Sequence, residues 1–514
     1  MIPYAKYPGI SPLFLDFLRG LPEFYPDPPT LEAAVERGRR LLSEGARPRF
    51  PTSALRWRGD AAGRMAEDFC AGRAVAVSAG HQVGLFTGPF FTLVKAFDAI
   101  RLARELSRRD VPAVPVFWAL TDDHDLQEIA RTARPSEDGA EILILEGADR
   151  QNRHPVGPLP IPDGIARIVD AFRPDATDET AAILEGFARR SAPGTSYGDA
   201  FVETLLDLVD PDPLLVLDPL SEPLRGPTVE LFLEAARQEK VIRAALLETE
   251  DKLRRAGKTV PAPVPDGFSF FAIDEEGRRR IEDLPAAVER VKAGKAWPSA
   301  DVITRPALKS YLFPMAASVL GAAEIAYHAQ SLPLFPLLQV APPVLIPRTH
   351  LVLRGPSERR LADALGVAEE DLLSPAPAPA VDVPGSDELS AIARAADEGL
   401  AAHASRLEAL DATLLGALDT TRRKVAYHLE QLAERARKAA ERRGDVESGR
   451  RKRLERLVMP GGVPAERTFP PLVPMLAHGD GAPDVLRHAV EGDSTLGAVV
   501  VDVGAAEGGS PHAR

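Results

Sequence analysis

The feature that most constrains this chain is a pair of short apolar runs on either side of one long amphipathic stretch. Residues 75–78 are small, apolar and bounded by glycine. A helical pattern follows from Pro89 to about Ser107, and a second apolar run at 113–120 includes Val114, Val116, Phe117 and Trp118. A strand, a crossover helix of that length and a second strand make a βαβ unit, which demands parallel pairing. Further strand candidates lie at 141–145, 214–218, 268–273 and 344–347, most of them separated by helical stretches. The predicted fold is α/β, a doubly wound parallel sheet with insertions.

At 514 residues the chain is too long for one core, and its composition shifts along its length. Residues 1–73 read as a helical lead-in, with helices near 12–21 and 31–43. Residues 74–373 carry the sheet, 385–458 an α-helical coiled coil, and 459–514 a segment that packs back on the core. From 387 to 457 no strand pattern occurs. Leu400, Leu407 and Leu414 lie seven apart, and after a phase shift Val425, Leu429, Leu432, Ala436 and Ala439 continue a 4-3-4-3 spacing. A helix over 400–439 would be roughly 60 Å long at 1.5 Å per residue, longer than its own chain can cover, so a homodimer through 387–457 is expected. Gly444 and Gly449 predict a turn before a last helix, and the proline-rich 374–384 reads as a linker. Interleaved glutamates make the run Arg450-Arg451-Lys452-Arg453 a solvated helix face.

A net charge of −13 argues against bulk nucleic-acid binding. The lone Cys70 excludes an internal disulfide framework and reads as a small buried hydrophobe. The most apolar stretch, 331–347, is broken by Gln339 and several prolines and falls short of the ~20 apolar residues of a membrane span. No basic, apolar, small-residue pattern of a secretory leader opens the chain, so a cytoplasmic protein is expected.

Two segments concentrate chemistry. In the first, 78–89, Gly80, Gly84 and Gly88 recur every four residues and Pro89 suits a first helical position, so a tight loop feeds a helix start that favours phosphate or carboxylate. Lys95 shares a helix face with Phe91, Ala99 and Leu102 and must snorkel or find an anion, with Asp98 one turn on as the local candidate. The second, Thr121-Asp122-Asp123-His124-Asp125, places three carboxylates and an imidazole in four residues. Such a cluster suits a divalent ion, a ribose or a proton-transferring base, or else an acidic turn that caps the next segment. In a parallel sheet both segments sit at strand C-terminal ends, where open α/β folds bind ligands. Asp218, Arg348 and His350 follow other strand candidates, and Arg305, Glu324 and Tyr327 are further polar candidates.

These blocks, AGHQVGLFTGPFFTLVK, ALTDDHDLQEI, RPALKSYLFPMAASVLGAAEIAYHAQ and PPVLIPR, resemble the bacillithiol biosynthesis cysteine-adding enzymes, the BshC family. The family pattern is T-G-Q-Q-x-G-L-F-T-G-P, an S/A-E-D-H-D loop, R-P-x-x-Q, G-P-x-E-I-A-Y and P-R. Pro464-Ala465-Glu466-Arg467 resembles a late Q-E-R motif. This chain departs from the pattern at Ala79 and His81, in the acidic loop, at Lys309 and at Ala322. The resemblance implies a Rossmann-like core with inserted connecting segments and a dimerising coiled coil. It also implies a ligase that joins L-cysteine to the amine of glucosaminyl malate, or a related amino-sugar malate. ATP or another nucleoside triphosphate with Mg²⁺ would activate the carboxylate, with no tightly bound metal. His81, Asp123, His124 and Asp125 would be catalytic, while Gly80, Gln82, Gly84, Thr87, Gly88, Lys95, Arg305, Glu324, Tyr327 and Arg348 would bind substrate or nucleotide. Two rival readings are a metal-dependent hydrolase built on 122–125 and a non-catalytic, nucleotide-binding assembly protein that works through its coiled coil.

Overall fold

The computed structural model describes residues 1–148, 152–374 and 386–503, so apart from Ser374 the predicted linker lies outside the described residues. Residues 1–357 together with 456–514 form one compact unit, and 358–455 form another.

In the larger unit the strands, in chain order, are β1 (Leu55–Arg56), β2 (Val75–Gln82), β3 (Ala113–Leu120), β4 (Arg131–Ser136), β5 (Gly139–Ile144), β6 (Leu215–Leu217), β7 (Phe268–Asp274), β8 (Gly277–Ile281), β9 (Trp297–Ala300), β10 (Met315–Leu320), β11 (Val344–Pro347), β12 (Leu351–Arg354) and β13 (Val499–Asp502). The main sheet has the order β1-β6-β3-β2-β10-β11. All neighbours pair in parallel except the edge strand β1. Counting only the parallel strands, this is the order 3-2-1-4-5, whose topological switch point lies between β2 and β10. Strands β3 and β10, and β2 as far as Ala79, are almost wholly buried, as a sheet covered by helices on both faces requires.

Two predicted strands belong to the insertions instead. The 141–145 run pairs with β4 in a hairpin, and the 268–273 run is the middle of a separate antiparallel sheet, β8-β7-β9. The central strand β10 is not legible as a strand, because its sequence Met-Ala-Ala-Ser-Val-Leu extends an apparently helical stretch. What ends the helix Arg305–Leu312 is Pro314, which holds Phe313 in an extended conformation.

The smaller unit is helical: Ser386–Ala401, Ala404–Leu410 and the greater part of the 45-residue helix Leu414–Val458. Two expectations are corrected here. The leucine seam at 400, 407 and 414 does not lie on one helix: one helix ends at Ala401, and the next ends before Asp411, which is extended and whose carboxylate takes the Thr413 N–H at 2.9 Å and hydroxyl at 2.7 Å. That local bond competes with the helix ladder. No turn occurs at Gly444 or Gly449, and the helix runs through both. A glycine costs a helix only about 1 kcal/mol, which so long a helix tolerates. Arg422 pairs through two nitrogens with Asp397 at 2.7 and 2.8 Å, joining the first and last of these helices.

Candidate functional site

Both predicted loops lie at the C-terminal ends of β2 and β3, but the first is shorter than expected. β2 continues to Gln82, with Ala79 to Gln82 paired in parallel to Phe117 to Leu120. Gly80 permits this approach, because a Cβ there would stand 2.8 Å from the Trp118 carbonyl oxygen. Beyond Gln82 the backbone is left-handed at Phe86 (φ 53°), Thr87 (φ 71°) and Gly88 (φ 70°). For the two non-glycine residues that conformation costs on the order of 1–3 kcal/mol each. Packing offsets it: Phe86 meets Phe172 and Phe187 edge-on at 5.9 and 5.7 Å. The Thr87 hydroxyl is buried with no hydrogen-bond partner. The helix begins at Phe91 and not at Pro89, and the Phe90 N–H is already taken by the Phe469 carbonyl at 2.8 Å.

Lys95, in the second turn of that helix, is 2% exposed. Its Nζ donates to the Gly80 carbonyl at 3.0 Å and to Glu324 Oε2 at 2.5 Å. Asp98 is occupied elsewhere, accepting the Thr349 N–H at 2.7 Å and hydroxyl at 2.9 Å. Glu324 also accepts the Gly321 N–H at 2.7 Å, closing the start of the helix Ala322–Ser331. Burial opposes its charge, yet Lys95 and that N–H hold its carboxyl below the usual range. One ion pair therefore spans the switch point from β2 to the end of β10.

His81 stands edge-on to the Phe91 ring at 4.8 Å. Burial, and next the charge of Lys95, push its pKa down to about 3, so at neutral pH it is a neutral imidazole. In that form it can donate one hydrogen bond and accept another. Arg348 lies 4.6 Å from the centre of the same ring. Its two terminal nitrogens are engaged by Glu466 at 2.6 and 2.9 Å and by the Thr349 carbonyl at 2.7 Å. Glu466 further accepts the Tyr7 hydroxyl at 2.5 Å and the Leu351 N–H at 2.9 Å. His350 is fully buried against Tyr4 and Tyr7. Arg348 and His350 thus face a sealed interior at the β11 end, whereas Lys95, His81 and Glu324 gather at the switch point.

The acidic loop spreads its four residues over three tasks. Asp125 is exposed and caps the short helix Leu126–Ile129 through the Glu128 N–H at 3.1 Å. Asp122 is buried and accepts the Ser299 hydroxyl at 2.6 Å, while its Oδ1 has no hydrogen-bond partner among the described residues. Asp123 accepts Gln82 Nε2 at 2.7 Å and the His124 N–H at 2.8 Å. Burial would raise its pKa, but the Gln82 hydrogen bond and the charges of Arg278 and Arg305 hold it well below the usual range. His124 Nδ1 lies 3.0 Å from Arg278 Nη1. A guanidinium only donates, so Nδ1 is the acceptor and Nε2 carries the ring proton. Beneath the loop, Asp218 accepts the Thr121 hydroxyl and the Leu220 N–H. Among the described residues no group of three or more His, Cys, Asp or Glu side chains is placed to hold a metal ion.

Arg305, Glu324 and Tyr327 line one cavity of about 50 Å³, together with Gly80, Trp118 and Lys309. Sequence reasoning missed Arg278 and Ser299, which reach the acidic loop from the inserted β8 and β9. Nothing in the spacing of 278 or 299 points to 122–124; only tertiary pairing of the insertion does. Cys70 is half-buried and burial pushes its thiol up to about 11, which disfavours a nucleophilic thiolate. No helix among the described residues is long and apolar enough to cross a membrane.

Comparison with known proteins agrees with this architecture. The family model described as "Bacillithiol biosynthesis BshC, N-terminal Rossmann-like domain" matches residues 56–297 and 288–349. The model "Bacillithiol biosynthesis BshC, C-terminal coiled-coil domain" matches 389–491. A protein of Salinibacter ruber named "Putative cysteine ligase BshC" is 26% identical over 453 residues, covering 83% of this chain and 82% of its own. A protein of the same name from Koribacter versatilis is 28% identical over 483 residues, covering 87% and 89%. One from Solibacter usitatus is 27% identical over 451 residues, covering 83% and 84%.

Proposed function

This chain belongs to the bacillithiol biosynthesis BshC family, and on that premise we propose that it is a cysteine ligase that joins the carboxyl of L-cysteine to the amine of glucosaminyl malate. Amide formation at neutral pH needs the carboxylate first converted to an acyl phosphate or acyl adenylate. A nucleoside triphosphate is the co-substrate that supplies this activation. The observation that carries the reading is that the Lys95–Glu324 pair, neutral His81 and the Gln82–Asp123 contact all lie at the C-terminal ends of the adjacent strands β3, β2 and β10. Phosphate-bound Mg²⁺ takes one or two carboxylates and keeps waters. The partnerless Asp122 Oδ1 and the ionised Asp123 fit that need.

In this scheme His81 and His124 each offer an N–H to the charge that develops on the leaving phosphate. Asp123 would hold the attacking amine, accepting a hydrogen bond from its N–H, or a Mg²⁺. Lys95 and Glu324 keep the two strand ends in register, and Arg348 acts as a positioning residue through Phe91. The hydrolase reading loses support because Asp122, Asp123 and Asp125 point to different partners. The test incubates the protein with glucosaminyl malate, cysteine, and ATP or CTP, and looks for the thiol product by mass spectrometry. No product with either nucleotide would overturn the reading, and product without nucleotide would overturn the activation step.

A homodimer through the helical unit is part of the same proposal. Leu414 and Leu432 are eighteen residues apart, five full helical turns, and so share a face. They are 36% and 52% exposed, and Leu410 on the preceding helix is 79% exposed. Replacing both Leu414 and Leu432 by lysine should give a 55.3 kDa monomer in sedimentation, where the wild type runs as a dimer. A wild-type monomer at micromolar concentration would refute the interface.

A further inference from the structure

The cavity beside the switch point contains polar groups that the scheme above leaves unused. Lys309 is 8% exposed and lines it, yet among the described residues no hydrogen bond or ion pair meets its ammonium. Arg305 lies one turn earlier on the same helix, and among the described residues its one hydrogen bond is to the Ala300 carbonyl, at 3.4 Å. The indole N–H of Trp118 is buried with no acceptor, and the Tyr327 hydroxyl has none among the described residues. The cavity's one carboxylate, Glu324, is committed to Lys95. Four donors, two of them on cationic side chains, thus surround a space of about 50 Å³ whose one carboxylate is already engaged. A buried ammonium whose nearest carboxylate is already committed to another cation is stabilised when an anion completes it.

We propose that Arg305 and Lys309 form a carboxylate-binding subsite, with the Trp118 and Tyr327 donors completing its walls. The volume suits a carboxylate and a few further atoms, not a nucleotide. Resting on the ligase reading, the occupant is a carboxylate of the hydroxy-dicarboxylate end of the acceptor, whose charge matches the two cations. Lys309 also makes the subsite sensitive to pH. Burial lowers its pKa to about 7, Glu324 works in the opposite direction, and Lys95 and Arg305 lower it further. His328, on the same wall, is itself held neutral, near 3, by burial and by Lys309. A bound carboxylate favours the ammonium form and raises that pKa. Binding therefore takes up a proton just above neutrality, and affinity falls as pH rises through the pKa of the complex.

Calorimetric titration of the full chain with malate, in two buffers of different ionisation heat, tests this. Malate should bind saturably, about tenfold more weakly at about pH 9 than at about pH 6, with proton uptake between. Lys309→Gln should lose the proton uptake and at least about tenfold in affinity at the lower pH, whereas Lys309→Arg should keep its affinity at both. Helical circular dichroism confirms that both variants fold. If L-cysteine and not malate shows the Lys309-dependent uptake, the subsite stands and belongs to the amino acid. A Lys309→Gln protein that titrates like wild type, or no saturable carboxylate binding, would overturn the proposal. The two readings fail separately. Thiol product with an unchanged acceptor KM in Lys309→Gln removes the subsite alone, and Lys309-dependent malate binding without any thiol product removes the ligase reading alone.

Discussion

Turnover of a His124→Ala protein in the thiol-forming assay is expected to fall by about 10²–10³, with KM for the acceptor little changed. The size of the effect depends on which nitrogen holds the ring proton. Arg278 faces Nδ1 at 3.0 Å and can only donate, while the Asp123 carboxylate lies farther from that nitrogen, at 3.5 Å. Nε2 therefore carries the N–H, a preorganised donor, while the Nδ1 lone pair is engaged and not free to act as a base. A donor aimed at charge that develops only in the transition state lowers kcat when removed and leaves ground-state binding alone. Arg278 is itself held by Ser299 at 3.1 Å and packs over Phe271 at 3.7 Å, so the tautomer is enforced by a side chain that cannot swing away freely. His124→Gln should recover part of the loss, since an amide N–H can replace an imidazole N–H but cannot replace a general acid or base. An alanine variant within about tenfold of wild type would remove His124 from the chemistry. A glutamine variant as slow as alanine would instead point to proton transfer.

The sequence made the outline of this site legible through alternation of apolar runs and helical periods. That signal works for β2, β3 and β11, which are short, apolar and bounded by turn residues. It fails at β10, whose Ala-Ala-Ser core has no β-branched residue before Val319; only the sheet around it makes it a strand. The loops at 78–89 and 121–128 were legible because glycine and carboxylate clusters need a reason to exist. Partners were not. Lys95 has a suitable carboxylate one turn away, yet pairs with Glu324, 229 residues on, because the sheet order puts β10 beside β2. The coiled-coil seam was legible as composition but misleading as continuity, since the helix breaks after Ala401 and again at Asp411, where an Asx-type bond outweighs the heptad pattern of leucines. In each failure a tertiary or side-chain contact overrode local periodicity.

Glu466→Ala is expected to destabilise the sheet-bearing unit by about 3–5 kcal/mol, the cost of stranding one member of a buried ion pair. Glu466 is 0% exposed and satisfies four donors at once: both terminal nitrogens of Arg348, the Tyr7 hydroxyl and the Leu351 N–H. Alanine removes every acceptor and leaves the Arg348 guanidinium buried among Tyr4, Tyr7 and Phe91. Urea unfolding followed by tryptophan fluorescence reads this unit alone, because Trp57, Trp118 and Trp297 all lie within it. The double variant Arg348→Met with Glu466→Leu should regain much of the loss, since no charge is then stranded, though two neutral donors remain unmet. The pH dependence has a definite sign. Burial would raise the Glu466 carboxyl, but Arg348 and the Tyr7 hydroxyl hold it below the ordinary carboxylate range. A depressed folded pKa contributes stability above the unfolded value and loses it only as pH falls through the folded one. The gap between wild type and Glu466→Ala should therefore persist down to the ordinary carboxylate range and narrow only in stronger acid. A gap under about 1 kcal/mol at neutral pH would mean that water reaches Arg348 and that the pair is not the clamp described. With the clamp lost, the Phe91 ring shared by Arg348 and His81 loses one wall, so the variant should also be slower in its folded fraction.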